Sequence, residues 1–189
     1  MTTMRRSRLL LLFAAAFAGV ALGARLLPAR EAGAPRIPAG EFRSTSSLRV
    51  SYDGQQFVFS GRREADGAAG IWEMAIGGSG TRLVTAGNGE PSDPIYLPDG
   101  RILYSDVFAA DRAGAEDARA LFSCRDDGTE ATRLTFGAHV DGRPEVLPDG
   151  RILFERRFSY PVSGRPSIRM TIHPDGTQVA FHDDGNESE

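Results

Sequence analysis

The 189-residue sequence predicts an all-β chain of three four-stranded propeller blades, an incomplete ring, preceded by an N-terminal signal helix. Three features predict it. Asp-Gly turns recur at fixed places, the strand strings that follow them are near-copies, and the segments between turns alternate apolar and polar residues with period two.

The first element is the leader, residues 1–24. Arg5, Arg6 and Arg8 precede an uncharged apolar run from Leu9 to Ala24 that ends in small residues, the order of a secretory signal peptide. Cleavage after Gly23 places Ala21 and Gly23 at the two small-residue positions, and a cut after Ala24 is the neighbouring option. The competing reading is an uncleaved anchor, with Leu26 and Leu27 extending the run past Arg25 toward the roughly twenty residues a bilayer needs. Residues 25–43 are rich in Ala, Gly and Pro without an apolar period and read as a flexible linker.

A repeat fills residues 44–184. Tyr52-Asp53-Gly54, Pro98-Asp99-Gly100 and Pro148-Asp149-Gly150 are followed by Gln56-Phe57-Val58-Phe59, Arg101-Ile102-Leu103-Tyr104 and Arg151-Ile152-Leu153-Phe154. A second turn series runs through Gly78-Ser79-Gly80-Thr81, Asp127-Gly128-Thr129 and Asp175-Gly176-Thr177. Each repeat therefore holds two hairpins, and Asp-Gly supplies the positive φ angles that a tight turn needs. Four strands per repeat give blades at about 44–85, 93–135 and 144–181, the dimension of a propeller blade. A β-sandwich would not repeat one turn string at one place in every copy. Residues 185–189 form an acidic tail.

Pro144-x-x-Leu147-Pro148-Asp149-Gly150-Arg151-Ile152-x-Phe154, with an Arg-Leu-Thr string before it, resembles the WD-repeat-like blade of TolB-type β-propellers. The resemblance runs from about Ser44 to the C-terminus. The stretch from Val146 to Asn186, with Arg156-Arg157, the Asp-Gly-Thr turn and Asp184-Gly185-Asn186, is similar, more weakly, to propeller segments of hydrazine synthase alpha-subunit-like proteins. That second resemblance implies a haem-dependent activity. With one cysteine the chain has no haem-attachment motif, so the activity does not follow.

Composition narrows the function. All 22 basic residues are Arg, which excludes every lysine-dependent site, and the formal net charge is -3. Loss of Arg5, Arg6 and Arg8 with the leader would leave 19 Arg against 25 acidic residues. Nucleic acid is not expected as a partner, and a membrane only through an uncleaved leader. The lone Cys124 permits no internal disulfide and no Cys-based zinc cluster.

In a four-stranded blade the Asp-Gly turns share one face, and the longer connections gather on the other, where binding usually resides. That face offers Arg62, Arg63, Asp106, Arg112, His139, Asp141, Arg143, Arg156, Arg157 and Tyr160 as candidate ligand or partner contacts. Arginine pairs suit carboxylate or phosphate capture; solvated surface charge is the plain alternative. Gly78-Ser79-Gly80 lacks nucleophile-elbow spacing, His173 and His182 lack zinc spacing, and Asp126-Asp127-Gly128 lacks the alternating ligands of a calcium loop. No catalytic residue, metal or cofactor is expected.

Propellers close with about four to eight blades, so three should leave Phe57, Phe59, Phe154 and Phe181 uncovered on the two outer faces. A protein partner, a second copy completing six blades, or a longer polypeptide would cover them. The resulting expectation is an exported, periplasmic or extracellular, non-catalytic binding or assembly module. Its rival is the substrate-holding propeller part of an envelope hydrolase or redox enzyme whose catalytic domain lies elsewhere.

Overall fold

The computed structural model describes residues 35–38, 40–63, 67, 69–78, 80–85, 89–108, 118–162 and 165–183, with the backbone alone for 159–162 and 165. The leader 1–24, Arg112 and the tail 185–189 lie outside the described residues, as does part of the linker. Twelve strands are described, four to each repeat. Blade one is β1 (Phe42–Val50), β2 (Gln56–Arg63), β3 (Ala69–Ala75) and β4 (Arg82–Thr85); blade two is β5 (Ser92–Tyr96), β6 (Ile102–Val107), β7 (Arg119–Cys124) and β8 (Thr132–Arg133). Blade three is β9 (Val140–Val146), β10 (Ile152–Val162), β11 (Arg165–Ile172) and β12 (Ala180–Phe181).

Within each blade every strand pairs antiparallel with the next. Blades two and three form one eight-stranded sheet, joined by a single parallel pair, Arg119 with Val140. The first strands β1, β5 and β9 pack beside one another and so form the inner wall of the arc. Among the described residues no helix is long and apolar enough to cross a membrane.

The turns differ in detail from the sequence expectation. In each of the five Asp-Gly turns at Gly54, Gly100, Gly128, Gly150 and Gly176 the glycine alone of the pair takes a positive φ, as in Gly100 at 86° and Gly150 at 84°. The Gly100 amide donates to Leu97 O at 3.0 Å and the Leu97 amide to Arg101 O at 2.8 Å, the pattern of a three-residue hairpin loop with a left-handed glycine. The aspartate stays right-handed because its carboxylate accepts the amide two residues on, Arg101 N to Asp99 Oδ1 at 3.1 Å and Arg151 N to Asp149 Oδ1 at 3.0 Å. Gly128 has a further reason to be glycine: a Cβ there would stand 1.8 Å from the Val84 carbonyl of blade one.

The core is layered between blades. Along β2, Phe57 and Phe59 enter one cluster with Trp72 and Met74, while Val58 enters the next with Ile71, Ile102 and Tyr104. Leu103 on the other side of β6 joins Leu121, Ile152 and Phe154 between blades two and three. The period-two alternation of a strand thus feeds two apolar layers at once.

This layering corrects the expected exposure. Phe57 and Phe59 are fully buried and Phe154 nearly so; of the four, Phe181 is the exposed one, at 72%. Phe154 faces blade two, not the outer side. On blade one Ile37, Phe42, Leu48 and Ile76 pack against the outer aromatic cluster. The Phe42 ring stands edge-on to both Phe59 and Trp72 at 5.1 Å, and Trp72 Nε1 donates to Gly61 O at 3.1 Å. The free face of blade three is different in kind: Glu155 and Arg169 pair across β10 and β11 where the earlier blades carry Ser60 with Ile71 and Ser105 with Leu121.

Replacing Phe59 by Ala should cost about 3–5 kcal/mol, the usual range for emptying a buried aromatic site. Phe181→Ala should change stability by no more than about 0.5 kcal/mol. Urea unfolding of the two variants beside the parent protein checks both values.

Candidate functional site

The first strands share an irregularity. Register breaks between Ser46 and Arg49 on β1, between Ser92 and Ile95 on β5, and opposite Leu153 and Glu155 on β9. At each break one non-glycine residue is left-handed: Ser47 at φ 55°, Asp93 at 54° and Arg143 at 52°. These are bulges, which re-aim side chains by adding one residue to a strand. Asp93 ties the three together, accepting from Ser47 Oγ at 2.8 Å and from the Arg143 amide at 3.3 Å. Beside them lies a cavity of about 710 Å³, lined among others by Arg49, Tyr52, Asp93, Tyr96, Arg143 and Glu145. The Tyr96 hydroxyl donates to Glu73 at 2.9 Å. Burial, and then the Glu73 charge, raise the phenol far above its ordinary value, so it stays protonated.

The expected contacts divide. Asp141, Arg143 and Arg157 come together around a cavity of about 150 Å³ with Asp93, Arg119 and Glu155. Arg156 grips Asp141 by two bonds of 2.7 Å, and the pair is almost wholly buried. The His139 ring lies edge-on to Phe158 at 4.9 Å, with its Nδ1 buried and unpartnered. Arg143 donates to Glu155 at 3.1 Å. Arg62 is set apart, pairing with Glu90 at 2.5 Å beside a second cavity, between blades one and two.

Two expected contacts are not brought to these cavities. Arg63 lies 4.3 Å over the Trp72 ring and pairs with Glu41 at 2.6 Å, so it packs the outer side of blade one. Asp106 is 2% exposed and accepts the Val107 amide at 2.8 Å. Arg112 lies outside the described residues, and Tyr160 is placed on β10 by its backbone alone.

The sequence reading missed Arg119, whose amide meets blade three at His139 O, 2.9 Å away, while its side chain braces blade two. Its guanidinium donates to Ser92 Oγ at 2.9 Å, to Ser105 Oγ and Ser105 O at 3.2 Å each, and to Glu90 O. Ser105 Oγ in turn donates to Asp141 O at 2.6 Å. It also missed Arg49, Asp93 and Glu145, whose signal is a polar run on an innermost strand.

Chemically the arrangement can hold charge and hydrogen-bond groups. Cys124 is fully buried, and burial pushes its thiol up to about 11, which leaves it inert. Among the described residues no three His, Cys, Asp or Glu side chains gather as metal ligands.

Truncating Arg156 to Ala strands the Asp141 carboxylate, and breaking a buried pair this way costs about 3–5 kcal/mol. Urea unfolding reads the loss, and Arg156→Lys should recover only part of it because the two-pronged geometry is gone. His139 makes a pH prediction. Burial, and then Arg156, hold its imidazole below the ordinary 6.5 against the opposing pull of Asp141. The unfolded chain therefore takes up that proton first, and stability that is full above 6.5 should fall as pH drops below it. The urea midpoint should be lower at pH 5.5 than at pH 7.5, and His139→Gln should narrow that gap.

No family model matches the sequence. Over 80 residues, 39% of this chain, it is 39% identical to hydrazine synthase subunit alpha of Kuenenia stuttgartiensis, of which it covers 10%. The solved hydrazine synthase of that organism is similar in structure at a TM-score of 0.64 and 20% identity, covering 74% of this chain and 25% of that one. A TolB-assigned protein of Agrobacterium tumefaciens is similar at a TM-score of 0.56 and 26% identity, covering 70% of this chain and 46% of that one. The chain thus spans a tenth of the curated relative and less than half of either solved chain. By fold, it is a three-bladed segment of a TolB-like β-propeller.

Proposed function

We propose that the chain is an exported module of the cell envelope or the space outside it, one that binds a protein partner or a small ligand and performs no chemistry of its own. One observation carries this reading, the left-handed bulge repeated in register at Ser47, Asp93 and Arg143. A non-glycine residue in that conformation costs on the order of 1–3 kcal/mol, and such strain collects at binding and switching sites. Here three different side chains bear it at one axial wall, where Arg49 and Arg143 stand near Asp93 and Glu145. A wall of mixed charge on a rigid scaffold suits a ligand that carries both signs, and this one runs from the bulges toward the Asp-Gly turns, past Tyr52, Tyr96 and Val146. The Arg-headed apolar leader, Arg5 to Ala24, supports export.

A second reading makes the chain the substrate-holding propeller part of an envelope hydrolase or redox enzyme. The likeness to hydrazine synthase subunit alpha favours it. A catalytic domain encoded with this segment in one polypeptide or beside it would decide for that reading.

Arg143→Gly tests the first. Glycine accepts φ 52° without strain, so the variant should unfold at the same urea concentration or a higher one. It should also fail to retain the proteins that the full chain captures from an envelope extract. Retention of the same proteins by Arg143→Gly, or turnover of ester, amide or glycoside substrates by the full chain alone, would overturn the proposal.

A further inference from the structure

The repeat provides its own control for the cavity between blades one and two. The cross-strand pair Ser46 with Ser60 recurs in blade two as Ser92 with Ser105, and Ser60 with Ile71 recurs as Ser105 with Leu121. On the same register Ser44 stands where Glu90 stands. Ala69, opposite Arg62, stands where Arg119 stands opposite Val107. Blade two holds the Arg119 guanidinium with Glu90 O, Ser92 Oγ, Ser105 O and Ser105 Oγ. Blade one keeps the counterparts of those acceptors, Ser44, Ser46 and Ser60, and has Ala in place of the arginine.

The consequence is visible in the packing. A cavity of about 260 Å³ lies there, lined by Ser44, Ser46, Ser60, Arg62 and Ala69 on one side and by Glu90, Ser92 and Arg119 on the other, with both arginines already bonded, Arg62 to Glu90 and Arg119 to the blade-two acceptors. A water molecule takes about 30 Å³ of liquid, so a guanidinium and part of its stem fit. Ser60 Oγ is the informative atom. It is buried, the residue being 6% exposed, and has no hydrogen-bond partner, whereas its counterpart Ser105 Oγ has two, Arg119 and Asp141 O. A buried hydroxyl left unpaired is costly and calls for an explanation. On β2, Ser60 lies on the same face as Val58, which packs toward blade two, so it faces the cavity. Arg62 does not fill the space, since its guanidinium turns to Gly67 O and Glu90. The Glu90 carboxylate at the mouth is taken by Arg62, so the acceptors inside are the uncharged serine groups, as they are for Arg119 in blade two.

We propose that this cavity binds a guanidinium group supplied from outside the chain, in the place that Arg119 fills one blade further on. The group comes either from a small guanidino compound or from an arginine side chain of a protein. The site is separate from the axial cavity and stands whether or not that cavity takes a partner.

Calorimetric titration of the full chain with arginine amide tests it, beside the isosteric but uncharged citrulline amide and beside acetate. Saturable binding of arginine amide alone is expected. Ser60→Ala should weaken it about tenfold, and Ala69→Arg, which fills the space from within, should abolish it while raising the urea midpoint. Arg143→Gly should leave this binding unchanged, which separates the site from the axial one. Tighter binding of an arginine-centred tripeptide than of arginine amide assigns the group to a protein, and equal binding assigns it to a small molecule. Equal binding of citrulline amide, preference for acetate, or binding that survives both Ser60→Ala and Ala69→Arg would falsify the proposal.

Discussion

Burial of each second strand on both faces is the constraint from which the rest of the structure follows. Phe57, Val58, Phe59, Ile102, Leu103 and Ile152 are fully buried, although neighbours in sequence point to opposite sides of their sheets. A single four-stranded sheet cannot achieve that. Val58, Ile102 and Leu103 each contribute about 1.5–3 kcal/mol only when a second blade covers them, whereas Phe57 and Phe59 are covered by Ile37, Phe42, Leu48 and Ile76, so much of the stability resides in the layers between blades. The close approach of Gly128 to Val84 marks how tightly two of them meet.

Along every second strand the apolar part is short. Phe57-Val58-Phe59 gives way to Ser60-Gly61-Arg62, Ile102-Leu103-Tyr104 to Ser105-Asp106, and Ile152-Leu153-Phe154 to Glu155-Arg156-Arg157. Blades are therefore joined by hydrocarbon at the Asp-Gly end and by hydrogen bonds at the other. Ser105 Oγ donates across to Asp141 O, while Arg119 braces its own blade through four acceptors and both prongs of Arg156 hold Asp141 within blade three, because buried polar groups tolerate few unmet bonds. Apolar layers admit one packing, while a hydrogen-bonded junction can be refitted by changing one residue. The two smaller cavities lie at that hydrogen-bonded end, while the axial cavity runs from the bulges toward the Asp-Gly turns.

The fold was legible because its signals repeat. Pro-Asp-Gly turns fixed the hairpins, and period-two strings fixed the strands, whose observed bounds in blade two differ by a residue or two from the expected ones. The turn type was not legible, because Asp-Gly is compatible with both a two-residue loop and the three-residue loop observed. Arg63 and Asp106, two of the ten candidate contacts, lie away from the cavities, Arg63 for a related reason. Arg62 and Arg63 are neighbours in sequence, but on a strand they point to opposite faces, so one reaches a cavity and the other lies on Trp72. The bulges left no sequence mark of their own, since Ser47, Asp93 and Arg143 share nothing but position. Arg119 was hidden because its role depends on register across three strands.

The two free faces of the arc are unlike, and this bears on how a partner could complete it. On blade one the face is aromatic, with Phe42 already seated on Phe59 and Trp72 and Arg63 stacked above. On blade three the positions that are Ile71 and Leu121 elsewhere become Arg169, and Ser60 and Ser105 become Glu155. Two copies closing into six blades would press that charged face against the aromatic one, taking Arg169 and the Arg143–Glu155 pair out of water, and such desolvation costs several kcal/mol per ion. A different polypeptide avoids the conflict if it meets blade three with charge and blade one with an apolar edge able to displace Phe42. Completion by a distinct, complementary partner is therefore physically easier than completion by self-pairing.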